Sequence, residues 1–313
     1  MLLRRIALLV PLMLGIVLFV FLVMRFSDID PAVAHFQGAN PTDEQLDAFR
    51  EENGLNDPLP VRYAAFVGDL LRGDMGLSVL NGRPVLDQVT TAMPLTLQLT
   101  FLGLAIGIVL SLVFGITAAI YRDRLPDQLI RVGTLIGVAA PGFWVALLLI
   151  QYLAVDAGWF PSGGYVNPSD SLTGWLKTMT LPAIALSLSV AAGLTRVVRT
   201  AVVEELDKDY VRTAIGSGLP PLVVVGRNVL RNALINPLTV LGLRVGYLLG
   251  GAVVTETIFS LPGMGTLMIN AVKNGDPAVV QGVVITAALA FVVVNLAIDI
   301  LYLLVNPRLR SAT

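Results

Sequence analysis

The chain contains no cysteine and one histidine, His35, so it has no material for thiolate nucleophiles, disulfides or zinc sites of Cys and His. Its three lysines are Lys177, Lys208 and Lys273, and none follows a glycine as a phosphate-binding loop requires. No serine or aspartate stands beside a base in a pattern that would activate a nucleophile. What remains chemically conspicuous is charge inside apolar sequence. Arg244 lies about nine residues, or 13 Å at 1.5 Å per residue, into the apolar run 234–258. Asp299 lies at a comparable depth in the run 280–305. An ion in hydrocarbon is costly, so such a residue has a partner or lines a polar path. Arg244 and Asp299 could neutralise one another, or Arg244 could face a pathway and meet a substrate carboxylate. No chain of buried carboxylates suited to proton coupling accompanies them, so no energy-converting site is visible and any energy must come from elsewhere.

The elements that would position these groups are membrane helices. Of 313 residues, 55% are hydrophobic and 14% charged, with a mean hydropathy of +0.78, whereas soluble domains carry roughly 25% charged residues. Apolar stretches near 5–26, 95–121, 130–155, 178–200, 234–258 and 280–305 each approach the ~20 residues needed to cross a bilayer. The expected fold is an all-α integral membrane protein with six transmembrane helices. The first run follows Arg4 and Arg5 and continues through Phe26 without a small-x-small cleavage site, so it reads as a span and not a signal. Pro141 and Gly142 interrupt the third stretch and Pro237 opens the fifth, and broken helices are common where a membrane protein lines a cavity or moves. Small residues recur every four positions at Gly103, Gly107, Ser111 and Gly115 and again at Gly242, Gly246 and Gly250. Such faces let helices approach closely where lipid provides no hydrophobic drive. Arg244 is displaced by about 200° from Gly242 around the helix, away from the glycine face.

Basic residues of short loops stay cytoplasmic. Arg4, Arg5, Arg122, Arg124, Arg131, Arg196, Arg199, Lys208, Arg212, Arg227, Arg231, Arg308 and Arg310 share one side in a six-span arrangement, which puts both termini inside. The other side receives 27–93, with eleven acidic residues against four arginines. There, Thr42 and Gln45 have capping-box spacing, and Asn53 and Gly54 end the helix they open. A second helix, over "PVRYAAFVGDLLRG", would set Tyr63, Phe66, Val67, Leu70 and Leu71 on one face. The chain thus divides into a first span at 1–26, an extracytoplasmic helical segment at 27–93 and a core of five spans at 94–313, with a cytoplasmic loop at 201–232. That loop holds the charged island "EELDKDYVRTAIGSGLPPL" at 204–222. A cytoplasmic helix, turn and helix between two spans is what a membrane subunit would offer to a separate motor.

The strings "DYVRTAIGSGL", "RNVLRNALINPLTVLG" and "GGAVVTETIFSLPGMG" resemble the signature region of the dipeptide, oligopeptide and nickel ABC importer permeases. "RRIALLVPLMLGIVLFVFLVMRF", "GLNDPLPVRYAAFVGDLLRGDMGLSV", "GRPVLDQV", "PLTLQLT", "PGFWVALLLI" and "NPRLR" follow the family order, so the likeness covers nearly the whole chain. It is closest to the first of the two paired permeases in those systems.

The resemblance implies a type I ABC importer permease fold in the bacterial plasma (inner) membrane. It implies a heterodimer with a second related permease, two cytoplasmic ATPases that bind ATP and Mg, and an extracytoplasmic substrate-binding protein. The chain itself would be no enzyme, would hold no cofactor or metal, and would have no nucleic-acid partner. Peptides are the implied substrate, with nickel or another small solute as the alternative. The ATPase-coupling loop would include Asp209, Tyr210, Arg212, Thr213, Ala214, Gly218, Leu219, Arg227 and Arg231. Arg212, Thr213 and Ala214 take the Glu-Ala-Ala positions of the family motif, and Gly218 its glycine. Glu256, Pro262, Gly263 and Gly265 would lie at the outer end of the fifth span near an external gate, with Arg244 and Asp299 as pathway candidates. Two departures stand out: Ser217 precedes the motif glycine and Pro220, Pro221, Leu222 and Val223 follow it, where family members often carry basic residues, and Arg244 stands where a neutral residue is usual. Two readings from other classes, an ATP-independent carrier or channel and an intramembrane enzyme, lack supporting motifs.

Overall fold

The computed structural model describes residues 2–25, 32, 33, 36, 41–52 and 54–305; among them the chain is helical, and the only β feature is an isolated bridge between Leu77 and Pro84. Two compact units result, one formed by 1–95 with 262–293 and the other by 96–261 with 294–313. Three described helices are long and apolar enough to cross a membrane, Val85–Ile120, Leu172–Leu206 and Pro277–Ala297, and a bent pair counts as a fourth. The expected first and fifth spans coincide with helices Leu2–Arg25 and Ile235–Ile258.

In the first unit, α1 (Leu2–Arg25) is followed by α2 (Asp43–Glu52) and α3 (Leu59–Leu71). The start of α2 is a capping box: the Thr42 amide donates to Gln45 Oε1 (3.0 Å) and the Gln45 amide to Thr42 Oγ1 (3.3 Å). Its end is a left-handed cap at Gly54 (φ +60°), whose amide donates to the Glu51 carbonyl while that of Leu55 donates to Arg50. Asn53, expected to share in that stop, lies outside the described residues. Helix α3 lays Tyr63 and Phe66 of the expected face on α1, with Phe21 5.7 Å from the ring of Tyr63 and 5.8 Å from that of Phe66, but Leu71, expected on the same face, is 84% exposed at the helix's last turn. The Tyr63 hydroxyl donates to the Leu14 carbonyl at 2.9 Å. Buried Asp276 precedes the last helix and accepts from Ser78 Oγ and the Val279 amide, which fastens the 74–84 turn to that helix's start.

The second unit is organised around one helix. We label Val85–Ile120 α4, Leu125–Ala139 α5, Gly142–Leu149 α6, Leu172–Leu206 α7, Asp209–Gly216 α8 and Ile235–Ile258 α9. Helices α5, α6 and α9 all pack on α7. Of its apolar stretch 72% is buried, against 33% for α4, although α7 is the least hydropathic of the three spanning helices. A membrane protein inverts the soluble pattern here: lipid demands apolar side chains outside, while small and hydroxyl residues let helices close on one another inside. The glycine face of α4 meets α7 in register. A methyl group at Gly103 would stand 3.2 Å from Leu186, one at Gly107 3.2 Å from Val190, and one at Gly115 2.7 Å from Val198.

The third apolar stretch is not one rod. Helix α5 ends at Ala140–Pro141, and the chain turns by 103° into α6, which continues as a π segment over Ile150–Asp156. Proline at 141 has no amide to donate and disfavours helical geometry at Ala140, whose ψ is 125°.

Candidate functional site

The charged island begins where α7 ends. Lys208, in extended conformation, starts α8 at Asp209. The helix stops in a Schellman motif: the Gly218 amide donates to the Ile215 carbonyl (3.0 Å) and the Leu219 amide to Ala214 (3.3 Å). Gly218 has φ +84° and open space where a side chain would point, so backbone conformation and not crowding requires glycine there. Beyond the turn come a short helix Pro221–Val223, a π segment Val224–Val229 and a last turn Leu230–Ala233 that leads into α9.

One side of this segment is anchored. Val211, Val224, Val229 and Ala233 join Ala119, Leu194, Val198, Ala201 and Val202 in a single buried cluster. The other side is open. Ile215, Leu219, Leu222 and Val223 are exposed, Leu222 by 83%, and Arg212, Thr213, Arg227 and Arg231 are exposed around them. Burying valines on one edge of a short helix while leaving large aliphatic groups on the other fixes the backbone and offers an unpartnered apolar surface.

A polar clamp holds the hinge between α7 and α8. Buried Glu205 accepts from Lys208 Nζ (2.6 Å) and the Tyr210 hydroxyl (2.7 Å), and Asn232 Nδ2 donates to that hydroxyl at 3.4 Å. Hydrogen bonding to Glu205 raises the Lys208 ammonium above the usual lysine range. Burial, assisted by the same carboxylate, raises the Tyr210 hydroxyl. Glu205, Lys208, Tyr210 and Asn232 line a cavity of about 490 Å³ together with Asn236.

The remaining sequence-predicted residues lie elsewhere. Glu256 is fully buried in α9 and accepts from Thr96 Oγ1 at 2.6 Å. Just beyond it, Phe259 and Ser260 (φ +51°) form a turn whose Phe259 carbonyl accepts from the Gly164 amide at 3.0 Å. A side chain at Gly163 would strike that carbonyl, so the pair of glycines admits this close approach. Pro262, Gly263 and Gly265 belong to the first unit, where Gly263 precedes helix α10 (Met264–Asn274) in extended conformation and α11 (Pro277–Val305) follows. Arg244 sits on α9 and Asp299 on α11, but their side chains lie outside the described residues. Gly242, Gly246 and Gly250 also lie on α9, with open space at Gly250.

Sequence reasoning counted Arg122, Arg131 and Arg199 only as markers of sidedness. The structure gives them partners. Arg199 on α7 makes a two-pronged pair with Asp127 on α5, Nε to Oδ1 and Nη2 to Oδ2, both at 2.6 Å, and Asp127 is fully buried. Arg131 stands 3.6 Å from Asp127, and Arg122 pairs with Asp207 at 2.9 Å. The available signal was an aspartate in the first turn of a helix after a tight "YRDRLP" loop, with arginine near the C-terminal end of a later span.

The family model described as binding-protein-dependent transport system inner membrane component matches residues 111–311, and the model for that component's N-terminal region matches 1–100. The chain belongs to this family. Among its relatives, a protein of Brucella abortus named as a peptide transport system permease is 37% identical over 310 residues, covering 99% of this chain and 98% of that one. A protein of Escherichia coli K12 named as a D,D-dipeptide transport system permease is 34% identical over 322 residues, covering 96% and 94%. The glutathione transport system permease GsiC of Escherichia coli O6:H1 is 34% identical over 307 residues, covering 98% and 97%. Among solved structures, a chain of the MetNI methionine ABC transporter superposes with a TM-score of 0.58 at 17% identity, over 70% of this chain and 96% of that one. The likeness to MetNI speaks to the fold. The permease is therefore an all-helical, multi-pass inner-membrane component of a binding-protein-dependent ABC importer and is not catalytic by itself.

Proposed function

We propose that the permease imports peptides, pairing with a second related permease to form the pathway while two cytoplasmic ATPases bind ATP and Mg and drive it. The observation that carries this reading is the two-sided segment 209–233. It is bolted to the membrane helices by Val211, Val224, Val229 and Ala233 and presents Ile215, Leu219, Leu222 and Val223 outward. An ATPase with a matching apolar groove would cover those side chains, while Arg212, Arg227 and Arg231 remain at the rim, where charge steers association. Closure of the motor on ATP would then move the segment as a rigid body and switch the open side of the pathway. Arg212, Thr213, Ala214 and Gly218 take the motif positions of the coupling loop in this reading.

Peptide as substrate is supported by the names of the relatives, which include peptide, D,D-dipeptide and glutathione systems. Both termini are assigned to the cytoplasm by the distribution of arginine. Glu256 is assigned to the external gate by its place in the last turn of the fifth span and the 262–265 turn by its place just after that span, and Arg244 is assigned to the pathway or to a pair with Asp299.

Affinity purification of the chain from its native membrane tests the assembly. A second permease and ATPase subunits should accompany it, and replacing Leu222 and Leu219 with Asp should release the ATPase while the second permease stays bound. A chain that purifies alone and moves solute without ATP would overturn the proposal in favour of a carrier.

A further inference from the structure

We infer that Asp127 is a positioning residue for transport: with Arg199 it makes the segment 121–139 travel with the coupling segment, so that a push from the motor reaches the bent helix pair α5–α6. This goes beyond the importer reading but rests on it.

The geometry is a grip at two levels. Arg199 holds Asp127, and eight residues further along α7 Asp207 holds Arg122. On a helix that separation is roughly 12 Å, and the two positions differ by only about 80° around the axis, so both face one side. The stretch Tyr121–Asp127 is therefore fastened to the last turns of α7, and α8 starts two residues after Asp207. The two levels are unequal. Arg122 and Asp207 are half exposed, whereas the Asp127 side chain is fully buried and that of Arg199 is 20% exposed. A two-pronged guanidinium–carboxylate pair fixes orientation as well as distance, which a single-point contact does not.

The local fold is arranged to hold the carboxylate in place. Asp123 adopts the left-handed region (φ +62°), unusual for a residue with a side chain, and this turns its amide onto Asp127 Oδ2 at 2.9 Å. Asp127 lies in the first turn of α5, where the helix dipole favours a negative charge. With Arg131 at 3.6 Å the carboxylate is surrounded by donors from α5, its preceding turn and α7. A buried charge so completely compensated is worth little net stability compared with an apolar contact of the same size, which leaves specification of geometry as its distinguishing property. That geometry ends at Ala140–Pro141, where the chain turns by 103°. A displacement of α5 at its inner end is delivered to this bend.

The test uses the assembled complex in proteoliposomes with its ATPases and binding protein. Native protein should show hydrolysis that rises with loaded binding protein. In D127N, which keeps the side chain's size, stimulated hydrolysis should persist while solute transported per ATP falls several-fold; a merely structural role would lower both in proportion. Because the chain has no cysteine, spin labels at Gln128→Cys and Ser217→Cys report the motion directly. Their separation should be the same with and without trapped nucleotide in the native background and should change with nucleotide in D127N. If D127N does not assemble, D127E, which keeps the charge but shifts the fork, should show the same uncoupling to a smaller degree. Native transport per ATP in the measured variant, or a label separation that ignores nucleotide there, overturns the inference and leaves the importer reading intact. Native protein whose hydrolysis never responds to loaded binding protein overturns the importer reading itself.

Discussion

Gly216 and Gly218 lie two residues apart in the segment 209–233, and the structure assigns them opposite responses to the same substitution. Neither has an atom within 4 Å of the place where a side chain would begin, so packing does not distinguish them. Conformation does: Gly216 closes α8 with helical geometry, whereas Gly218 has φ +84°. An L-residue held in the left-handed region costs roughly 1–2 kcal/mol. Replacing a helical glycine by alanine returns about 0.5–1 kcal/mol. G218A should therefore lie about 1.5–3 kcal/mol below G216A in the stability of the capped segment. A cost of 1–2 kcal/mol lowers an equilibrium constant by a factor of roughly 5–30, which bounds the loss of docking-competent loop. Asparagine tolerates the left-handed region best among non-glycine residues and valine worst, so severity at 218 should run Asn, Ala, Val. The assay is amide hydrogen exchange at residues 218 and 219, whose protection reports the Schellman bonds, together with the ATPase concentration that half-saturates the permease. G218A matching G216A in both readouts, or severity at 218 following side-chain volume instead of left-handed tolerance, would refute the reasoning.

Three further outcomes follow from contacts in the second unit. G115A should destabilise by about 1–3 kcal/mol, since the added methyl meets Val198 Cβ at 2.7 Å and the Thr195 carbonyl at 3.0 Å, while G103A meets only the side chain of Leu186 at 3.2 Å and should cost less; stepwise heating with size-exclusion recovery ranks them. By the same measurement, D127N should lose up to about 3–5 kcal/mol, as buried pairs do when one partner is removed, and D207N no more than about 1 kcal/mol, as exposed pairs do. E256L removes the buried hydrogen bond from Thr96 Oγ1 and should cost about 0.5–3 kcal/mol, whereas E256Q retains an acceptor and should recover most of that loss.

What the sequence made legible was whatever depends on local chemistry. The capping box at Thr42 and Gln45, the left-handed stop at Gly54, the aromatic face of α3 and the break at Pro141 each follow from a few adjacent residues, and the structure shows each of them. The length of α7 was not legible. A span at 178–200 is expected from hydropathy, yet the helix runs from Leu172 to Leu206 because its polar outer turns remain helical after they leave the apolar stretch. The π segments at 150–156 and 224–229 carry no signature that periodicity would reveal. Nor does any local pattern join Asp127 to Arg199, 72 residues away, because pairing across helices depends on which faces meet. The segment 204–222 was legible as a charged island, but the division of 209–233 into a buried valine edge and an exposed leucine edge required the packing of Val211, Val224 and Val229 on α7.

The central claim is that this chain turns ATP hydrolysis by partner subunits into inward movement of peptide. Purified complex should be reconstituted in proteoliposomes with ATP on the side of the coupling segment and labelled peptide with the binding protein on the other. Accumulation that requires ATP, the binding protein and an intact Leu219–Leu222 edge is the predicted result. Peptide that equilibrates across the membrane equally well without ATP would contradict it.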